Sequence, residues 1–237
     1  MDDYLSDLIF SLNSEQVYFF KSLVRTYNIK TALDLTRGNS DLAVLMAKWG
    51  VDVTVLGSSS YSVRRLEEGK KNGLKINVIK GDMRDIYKIY NKRSHLTICL
   101  KNSLSRLLSP KDILGTLAQV YLNLEPGGII VLHTLNYEYL AGQGDLPVFI
   151  AEEYDRDLVV RLFFDISTDG KYANLIFKRC LEEETVCEIT IPVFPLSRKK
   201  INLWLAELGF KRIENYYWLG QKNNDANFQL ITTACRP

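Results

Sequence analysis

The chain has 237 residues, of which 46% are hydrophobic and 24% charged, and its 30 basic and 28 acidic side chains leave a net charge of +2. This composition is typical of a globular protein that buries a sizeable core, and it excludes a disordered or fibrous chain. A charge so near zero supplies no strong field for nucleic acid, so we expect a small-molecule substrate and no nucleic acid as partner.

Strand-like runs alternate with amphipathic helices over the first 136 residues, which predicts βαβ units and a parallel sheet. The predicted strands are, in order, KTALDL, VDVTVL, INVIKGD, HLTICL and IIVLHTLN. The predicted helices among them are SDLAVLMAKW, YSVRRLEEGKKNG and PKDILGTLAQVYLNL, and EPGG is the turn that ends the last of these. Leu42, Leu45, Met46 and Trp49 have the spacing of one helix face.

The pattern changes at Leu158 to three alternating runs, LVVRLFFDIS, YANLIFKRCL and TVCEITIPVF. A TDGK turn separates the first two, and an Asp-Gly turn between alternating runs is a strong hairpin signal, so we predict antiparallel strands. SRKKINLWLAELG then predicts a helix with Ser197 as its N-cap and Gly209 as its C-terminal stop. Two further strands, FKRIENYYWL and NFQLITTACR, follow.

Cysteine usage and the N-terminal residues give no sign of export. The four cysteines lack CxxC spacing, and Cys99 lies in an apolar run where a reduced, packed thiol is typical. The acidic start MDDYLSDLIF lacks a signal-peptide pattern, and no apolar run approaches the roughly 18 residues that a membrane span needs. We therefore expect a cytoplasmic protein with no membrane partner, and either a monomer or a homodimer.

The order and spacing of these elements resemble the class I S-adenosylmethionine-dependent methyltransferases, from about Gln16 to the C-terminus. The segments GDMRDI, LSPKDILGTLAQVYLNLEPGGIIVLHTLN and LAELGFKRIENY carry the resemblance. It implies an α/β fold: a Rossmann-like, seven-stranded, mostly parallel sheet flanked by helices, with an inserted antiparallel β layer after strand five. We predict one domain over residues 1–237, with a cofactor-binding core (1–140), inserted strands (145–195), and a last helix and two strands (196–237).

The resemblance implies S-adenosylmethionine as cofactor and places its glycine-rich loop at Asp34–Ser40. The family's Asp-Leu-Gly-x-Gly-x-Gly is Asp-Leu-Thr-Arg-Gly-Asn-Ser here. Asp34, Thr36, Gly38 and Ser40 are therefore the implied binding residues, although only the central glycine is retained. A branched Cβ at Thr36 disfavours positive φ and needs room beside the ligand, so we expect weakened affinity.

A second departure from the family lies after strand two, where Gly57 replaces the acid that binds the ribose. The hydroxyls of Ser58, Ser59 and Ser60 are the expected substitutes. Neutral hydrogen bonds are weaker than charge-assisted ones, so the missing carboxylate is expected to cost roughly 1 kcal/mol or more in cofactor affinity. On this hypothesis, Gly57→Asp tightens binding.

The loops after strands three and four complete the implied cofactor site. Asp82 and Met83 inherit the adenine-binding positions by resemblance, with the alternative that Asp82 only caps a turn. Leu100 and Asn102 lie near the methionine moiety. Lys101 between them is unusual beside a sulfonium cation, so we expect it to point to solvent or to anchor an anionic substrate.

Methyl transfer requires little beyond holding a nucleophile in line with the sulfonium methyl, so positioning supplies most of the effect. His133 and Tyr137 are the candidate catalytic residues, because strand ends face the crevice and imidazole takes a proton near neutral pH. A hydrogen-bonded histidine inside the sheet is the commoner situation. His95 and His133 are the only histidines, and neither has ligands at metal spacing, so no metal site is expected.

The element order predicts that Asp34, Gly57, Asp82 and Leu100 line one crevice, with the antiparallel layer over it. The leading function is a methyltransferase that acts on a small molecule. The first alternative is a methyltransferase-like binding or assembly protein that no longer catalyses. The second is an enzyme for another nucleotide-like ligand, in which Gly57 relieves repulsion toward a phosphate.

Overall fold

A computed structural model describes residues 7, 10–38, 40–57, 60–142, 144, 147–153, 158–167, 171–181, 184–217 and 229–237. The helices are α1 (Ser14–Thr26), α2 (Asp41–Lys48), α3 (Ser60–Lys71), α4 (Ile86–Ile89), α5 (Pro110–Asn123), α6 (Tyr137–Leu140) and α7 (Arg198–Glu207). The strands are β1 (Thr31–Asp34), β2 (Asp52–Leu56), β3 (Ile76–Ile79), β4 (Ser94–Cys99), β5 (Leu124–Leu135), β6 (Phe149–Glu153), β7 (Leu158–Ile166), β8 (Ala173–Leu181), β9 (Glu184–Val193), β10 (Lys211–Tyr217) and β11 (Gln229–Cys235). Short 3₁₀ turns span Met83–Asp85 and Leu104–Leu107.

The large sheet has the strand order β10-β11-β5-β4-β1-β2-β3. Strands β1 to β5 pair in parallel, while β11 runs antiparallel to β5 and β10 antiparallel to β11. This arrangement confirms the predicted Rossmann-like, seven-stranded, mostly parallel sheet. The order reverses between β1 and β4, and such a switch point is where open α/β sheets bind ligands.

The antiparallel layer predicted after strand five is also confirmed. It is a separate four-stranded sheet with the order β6-β7-β8-β9, in which every neighbouring pair is antiparallel. Its first strand, Phe149–Glu153, was not among the predicted runs, because it ends in two glutamates and shows no clear alternation. The TDGK turn lies largely outside the described residues, since positions 168–170 are among those left undescribed.

Two apolar cores cover the two faces of the large sheet. Alternate residues of β5 point to opposite faces, so Ile130 and Leu132 enter one core while Ile129 and Val131 enter the other. The first core also contains apolar side chains of α5, α7 and the small sheet, and the second contains those of α1, α2 and α3. Burial on both faces explains why these strands are continuous apolar runs.

The EPGG segment differs from its prediction as a turn that ends the helix. Strand β5 begins at Leu124 and includes it, with a register shift against β4 between Ser94 and Leu96. Gly127 has a φ of +80°, its N–H donates to the carbonyl of Arg236, and Arg236 N–H donates to Gly128. The C-terminal strand thus converts a local turn signal into a bulged strand.

Within the described part of the chain, none of the helices combines the length and apolar character that a membrane span requires.

Candidate active site

Four loops meet at one edge of the large sheet, because β4, β1, β2 and β3 are adjacent and parallel. Asp34 ends β1, Gly57 follows β2, Asp82 lies three residues after β3, and Leu100 follows β4. The predicted placement of these four residues around one crevice is confirmed. Two cavities lie there, of about 20 Å³ and about 160 Å³, each of which includes residues of the loop after β1.

The threonine in the glycine-rich loop is bound into the structure. Thr36 N–H donates to Asp34 Oδ1 at 2.8 Å, and the Thr36 hydroxyl accepts from Leu100 N–H at 3.0 Å. Only Gly38 in this loop has a positive φ among the described residues, at +101°. Thr36 therefore does not need a positive φ, and its branched side chain connects the ends of β1 and β4, while the weakened cofactor affinity stays a prediction.

A serine makes a second connection between the same two loops. Ser103 Oγ accepts from Arg37 N–H at 2.9 Å and donates to the carbonyl of Leu100 at 2.5 Å. Ser40, buried at the start of α2, accepts Val44 N–H at its carbonyl. Of the two replaced glycines, Thr36 thus adds a side-chain hydrogen bond, whereas Ser40 makes a backbone bond that glycine would also make.

The Asp34 carboxyl is the buried acid of the crevice, with 2% of the residue exposed. Burial raises its pKa to about 6, although hydrogen bonds with Thr36 and the positive charge of Lys101 oppose that rise. At neutral pH Asp34 is mostly ionised, and desolvation leaves its charge poorly compensated. Such a group favours a cation beside it.

Lys101 and Asp7 form an ion pair above the loop after β1. The side chains are only 7% and 16% exposed, so the sequence-based option that Lys101 points to solvent is wrong. Lys101 and Asn102 both have left-handed backbone, with φ of +54° and +57°. A Cβ built on Gly38 would lie 3.0 Å from Asp7 Oδ1, so this carboxylate rests directly on the central glycine.

His133 lies on β5 beneath the N-terminal residues. Its Nδ1 accepts from Lys101 N–H at 3.4 Å, and the ring of Phe10 meets it edge-on with centroids 5.0 Å apart. Burial lowers the pKa of His133 to about 3. The imidazole is therefore neutral at physiological pH and a weak base, and its catalytic role stays a prediction.

Tyr137, the second candidate base, forms hydrogen bonds with Asn102. Asn102 Nδ2 donates to the phenol oxygen at 2.7 Å, and that oxygen lies 3.0 Å from Asn102 Oδ1. Leu135 N–H also donates to Asn102 Oδ1, so Asn102 joins the ends of β4 and β5. Burial raises the pKa of Tyr137 well above its usual range, so the phenol stays protonated.

The larger cavity lies at the predicted adenine side. It is lined by Leu35, Arg37, Leu56, Gly57, Gly81, Asp82, Met83 and Leu107. Asp82 Oδ1 accepts from the N–H and Nε of Arg84, while Oδ2 accepts from Nη2, and these hydrogen bonds lower the pKa of Asp82. Asp82 thus caps the 3₁₀ turn, and an additional adenine contact for it and Met83 stays a prediction.

The backbone conformation at position 57 favours glycine. Its φ is +74°, and an added Cβ would lie 2.9 Å from the carbonyl oxygen of Gly81. An aspartate there would be strained, which works against Gly57→Asp as a way to supply the ribose carboxylate, and its effect on cofactor affinity stays a prediction. Ser58 and Ser59, the expected ribose contacts, lie outside the described residues, and the Ser60 side chain is not described either.

The small sheet packs at the same edge. Phe194, just after β9, donates its N–H to the carbonyl of Ser105, and Phe164 on β7 contacts the Tyr137 ring with centroids 5.7 Å apart. Both contacts join the inserted layer to residues that follow β4 and β5. The layer is thus joined to the residues that follow β4 and β5, and its placement over the crevice stays a prediction.

No family model matches the sequence. Glycine/sarcosine N-methyltransferases from Aphanothece halophytica and Halorhodospira halochloris are each 25% identical to the chain, over 86% and 90% of it and 74% and 77% of their own lengths. A solved S-adenosylmethionine-dependent methyltransferase from Clostridium acetobutylicum has a TM-score of 0.74 at 12% identity, and covers 98% of this chain and 96% of its own. The glycopeptide N-methyltransferase MtfA, solved with S-adenosyl-L-methionine, has a TM-score of 0.63 at 21% identity, over 94% and 93%.

The sequence relatives and the fold together support a class I S-adenosylmethionine-dependent methyltransferase. The resemblance seen in the sequence began at Gln16 and left out the residues before it. In this methyltransferase, Phe10, Leu12 and Gln16 line the smaller cavity together with Asp34 and Lys101. Asn13 and Gln16 form a capping box, so the pattern Asn-x-x-Gln marks the start of α1 in the sequence.

Proposed function

We propose that this methyltransferase transfers the methyl group of S-adenosylmethionine to the nitrogen of a small amino compound, with small amino acids as the first candidates. The observation that carries the proposal is the buried Asp34 carboxylate at the switch point of a methyltransferase sheet. The names of the glycine/sarcosine N-methyltransferases supply the acceptor class.

The residues present fit this cofactor. Asp34 is an incompletely compensated carboxylate, and the cofactor carries an ammonium and a sulfonium group. Gly38 leaves room for close approach of a ligand to the backbone. On the other side of the loop, the cavity beside Gly57 and Met83 is expected to hold the adenosine half. When bound, the cofactor supplies an electrophilic methyl group.

The contribution of the chain itself is orientation and exclusion of water. Leu100 and Phe10 are 5% and 6% exposed and shield the methionine side of the crevice. His133 is neutral and Tyr137 protonated near pH 7, so in this proposal they position neighbouring groups instead of moving a proton. A neutral amine then needs only alignment with the methyl group, and alignment alone supplies a large rate factor.

Calorimetric titration with S-adenosylhomocysteine and S-adenosylmethionine tests the cofactor half of the proposal, with ATP as the comparison ligand. We expect both cofactor forms to bind and ATP not to bind. Binding of ATP alone would favour the alternative of another nucleotide-like ligand. Absence of all binding would favour the inactive alternative, which the relatives do not support because they are named as enzymes.

The acceptor half is tested by the release of S-adenosylhomocysteine in the presence of glycine, sarcosine or dimethylglycine. Transfer to glycine or sarcosine but not to dimethylglycine is expected from the relatives' names. Methylamine is the matched comparison, because it offers an amine without a carboxylate. Turnover with none of these acceptors, in a chain that binds the cofactor, would contradict the proposed acceptor class and leave cofactor binding in place.

A further inference from the structure

The Lys101–Asp7 ion pair joins two parts of the chain that are 94 positions apart in the sequence. Lys101 follows β4 directly, and Asp7 comes from the N-terminal residues before α1. Placing a lysine ammonium at 7% exposure is costly unless a counter-charge is supplied. The fold therefore keeps a buried cation at the crevice and covers it with a carboxylate from its own N-terminal segment.

The location of this carboxylate indicates what it replaces. Asp7 Oδ1 lies 3.0 Å from the Cβ position of Gly38, and Lys101 Cδ lies 3.8 Å from the same point. Among the described residues of this loop, only Gly38 has a positive φ, and its missing Cβ is what admits a carboxylate so close to the backbone. The Asp7 carboxylate fills that space, so it stands where an anionic ligand group would meet Lys101.

We propose that Lys101 is a receptor for a ligand carboxylate, and that Asp7 occupies this receptor until the ligand displaces it. The inference rests on the proposed function. The carboxylate is that of the methionine half of the cofactor or that of an amino-acid substrate. In either case the ligand presents an α-amino acid group, with a carboxylate for Lys101 and an ammonium for Asp34.

Ligand binding brings the charges of the crevice into balance. Before binding, Asp7 pairs with Lys101, while Asp34 is a second carboxylate in the same cavity as this lysine, and burial raises its pKa to about 6. After the exchange, the ligand carboxylate pairs with Lys101 and the ligand ammonium lies beside Asp34. One buried ion pair thus replaces another, and Asp34 gains a partner.

The size of the smaller cavity requires the displacement. Its volume of about 20 Å³ holds roughly one water molecule, far less than an amino-acid group. Phe10 closes the same space by contacting His133 edge-on. Asp7 and Phe10 must therefore both be displaced when a ligand enters, so the Asp7 carboxylate acts as an internal competitor.

Two ligands that differ in the amino-acid group test the inference by calorimetry. S-adenosylhomocysteine has this group and 5′-methylthioadenosine lacks it. We expect Asp7→Asn to tighten S-adenosylhomocysteine binding about 3–10-fold and Lys101→Met to weaken it about tenfold or more. Binding of 5′-methylthioadenosine should change less than twofold in both variants. Glu15→Gln, an exposed acid in the first turn of α1, is the matched control.

A carboxylate from an amino-acid substrate, instead of from the cofactor, predicts different effects of the same variants. If an amino-acid substrate supplies it, S-adenosylhomocysteine binding stays constant, while Lys101→Met raises the KM for glycine and leaves that for methylamine unchanged. Lys101→Arg should retain most of the wild-type value in either case, because it retains the charge. Thermal melts of each variant exclude loss of the fold.

Equal effects on both nucleosides, or no effect on S-adenosylhomocysteine affinity and on the KM for glycine, would overturn the inference. Those outcomes are distinct from failure of the proposed function, which would appear as a wild-type chain that binds neither nucleoside. In that case Lys101 has no ligand to receive and the inference fails as well.

Discussion

Asp34 affects stability and binding in opposite directions. Its folded-state pKa of about 6 lies above the ordinary value of 3.8, because burial penalises the charged form. The folded chain therefore holds this proton more tightly than the unfolded chain. The stability due to Asp34 is complete below about pH 4 and is lost as the pH rises through 6.

Asp34→Asn is expected to stabilise the free protein at pH 7 by about 1–3 kcal/mol, because the amide keeps an oxygen for Thr36 N–H and carries no charge. Urea unfolding at pH 7 and pH 4 measures the effect, and the difference between variant and wild type should shrink at pH 4. Glu207→Gln, at an exposed helix end, is the control. A variant less stable than wild type at pH 7 would contradict the account.

The same carboxyl predicts a pH dependence of cofactor binding. The ionised form attracts the ligand ammonium, so the affinity for S-adenosylhomocysteine should fall as the pH drops through 6. The titratable groups around it in the described structure are Lys101, its partner Asp7, His133 and Cys99; burial lowers the pKa of His133 to about 3 and holds that of the Cys99 thiol far above this range. Titrations from pH 5 to 8 measure the profile, and the Asp34→Asn profile should be flat by comparison.

Gly57 provides a test of backbone requirements at a single residue. Gly57→Ala places a Cβ 2.9 Å from Gly81 O at a φ of +74°, whereas Gly73→Ala at a φ of +80° has open space around it. Both changes incur the left-handed penalty of about 1–2 kcal/mol, and only Gly57→Ala adds a collision with backbone. Chemical unfolding should show a larger loss for Gly57→Ala. Equal losses of unfolding free energy would mean that the Gly81 carbonyl moves away from the new Cβ without destabilising the protein.

At the scale of elements, the side chain of Arg236 joins the end of α5 to the start of β5. Arg236 Nη1 donates to the carbonyls of Tyr121, Leu122 and Leu124, at the C-terminal end of α5. Its guanidinium also lies 5.1 Å from the centre of the Tyr121 ring. A cation at these carbonyls is favourable both as a hydrogen-bond donor and toward the helix dipole.

Arg236→Met should therefore destabilise the protein by about 1.5–3 kcal/mol, since three carbonyls lose a charged donor while the side chain keeps its apolar stem. Arg236→Lys should recover part of the loss, because it retains the charge without the planar group. Urea unfolding measures both values. Identical stability of Arg236→Met and wild type would show that water satisfies these carbonyls equally well.

Local signals explain which elements could be predicted from the sequence. Ser197 Oγ accepts Lys200 N–H at the start of α7, and Gly209 follows the helix with a φ of +96°, as their positions indicated. The EPGG segment carried an equally clear turn signal, yet Arg236 draws it into β5. Its conformation depends on residues more than 100 positions away, which no local pattern reports.

The same distinction applies to the site. The positions of Asp34, Gly57 and Leu100 follow from the ends of parallel strands, and the sequence predicted them. The Asp7–Lys101 pair joins residues 94 apart, and neither residue lies in a motif that indicates the other. The hydroxyl partner of Thr36 could not be predicted for a related reason, because it is the distant backbone of Leu100.

At the scale of the whole molecule, the two sheets share one core. The cluster that contains Leu132 and Tyr137 of the large-sheet side also contains Val160 and Phe177 of the small sheet. Phe194 joins the layers further through its N–H bond to Ser105. Since neither sheet covers its apolar face without the other, we expect the chain to unfold as one unit, and the single domain over 1–237 stays a prediction that this unfolding tests.

Two tryptophans report on the two layers separately. Trp49 follows α2 and packs against the core of the parallel sheet, whereas Trp204 on α7 stacks with Phe194 at a centroid distance of 6.4 Å. Single-tryptophan variants that retain one or the other, with Trp218→Phe in both, should lose fluorescence at the same urea concentration as far-UV circular dichroism. An earlier transition at Trp204 would contradict a single unit and would mean that the inserted layer unfolds independently.

Saturating S-adenosylhomocysteine sharpens the test, because at 100 times its Kd it adds about 2.7 kcal/mol to the unfolding free energy of every element that unfolds with the crevice. If the layers are one unit, the ligand must raise both tryptophan midpoints equally, although it is expected to contact only the loops after β1 to β4.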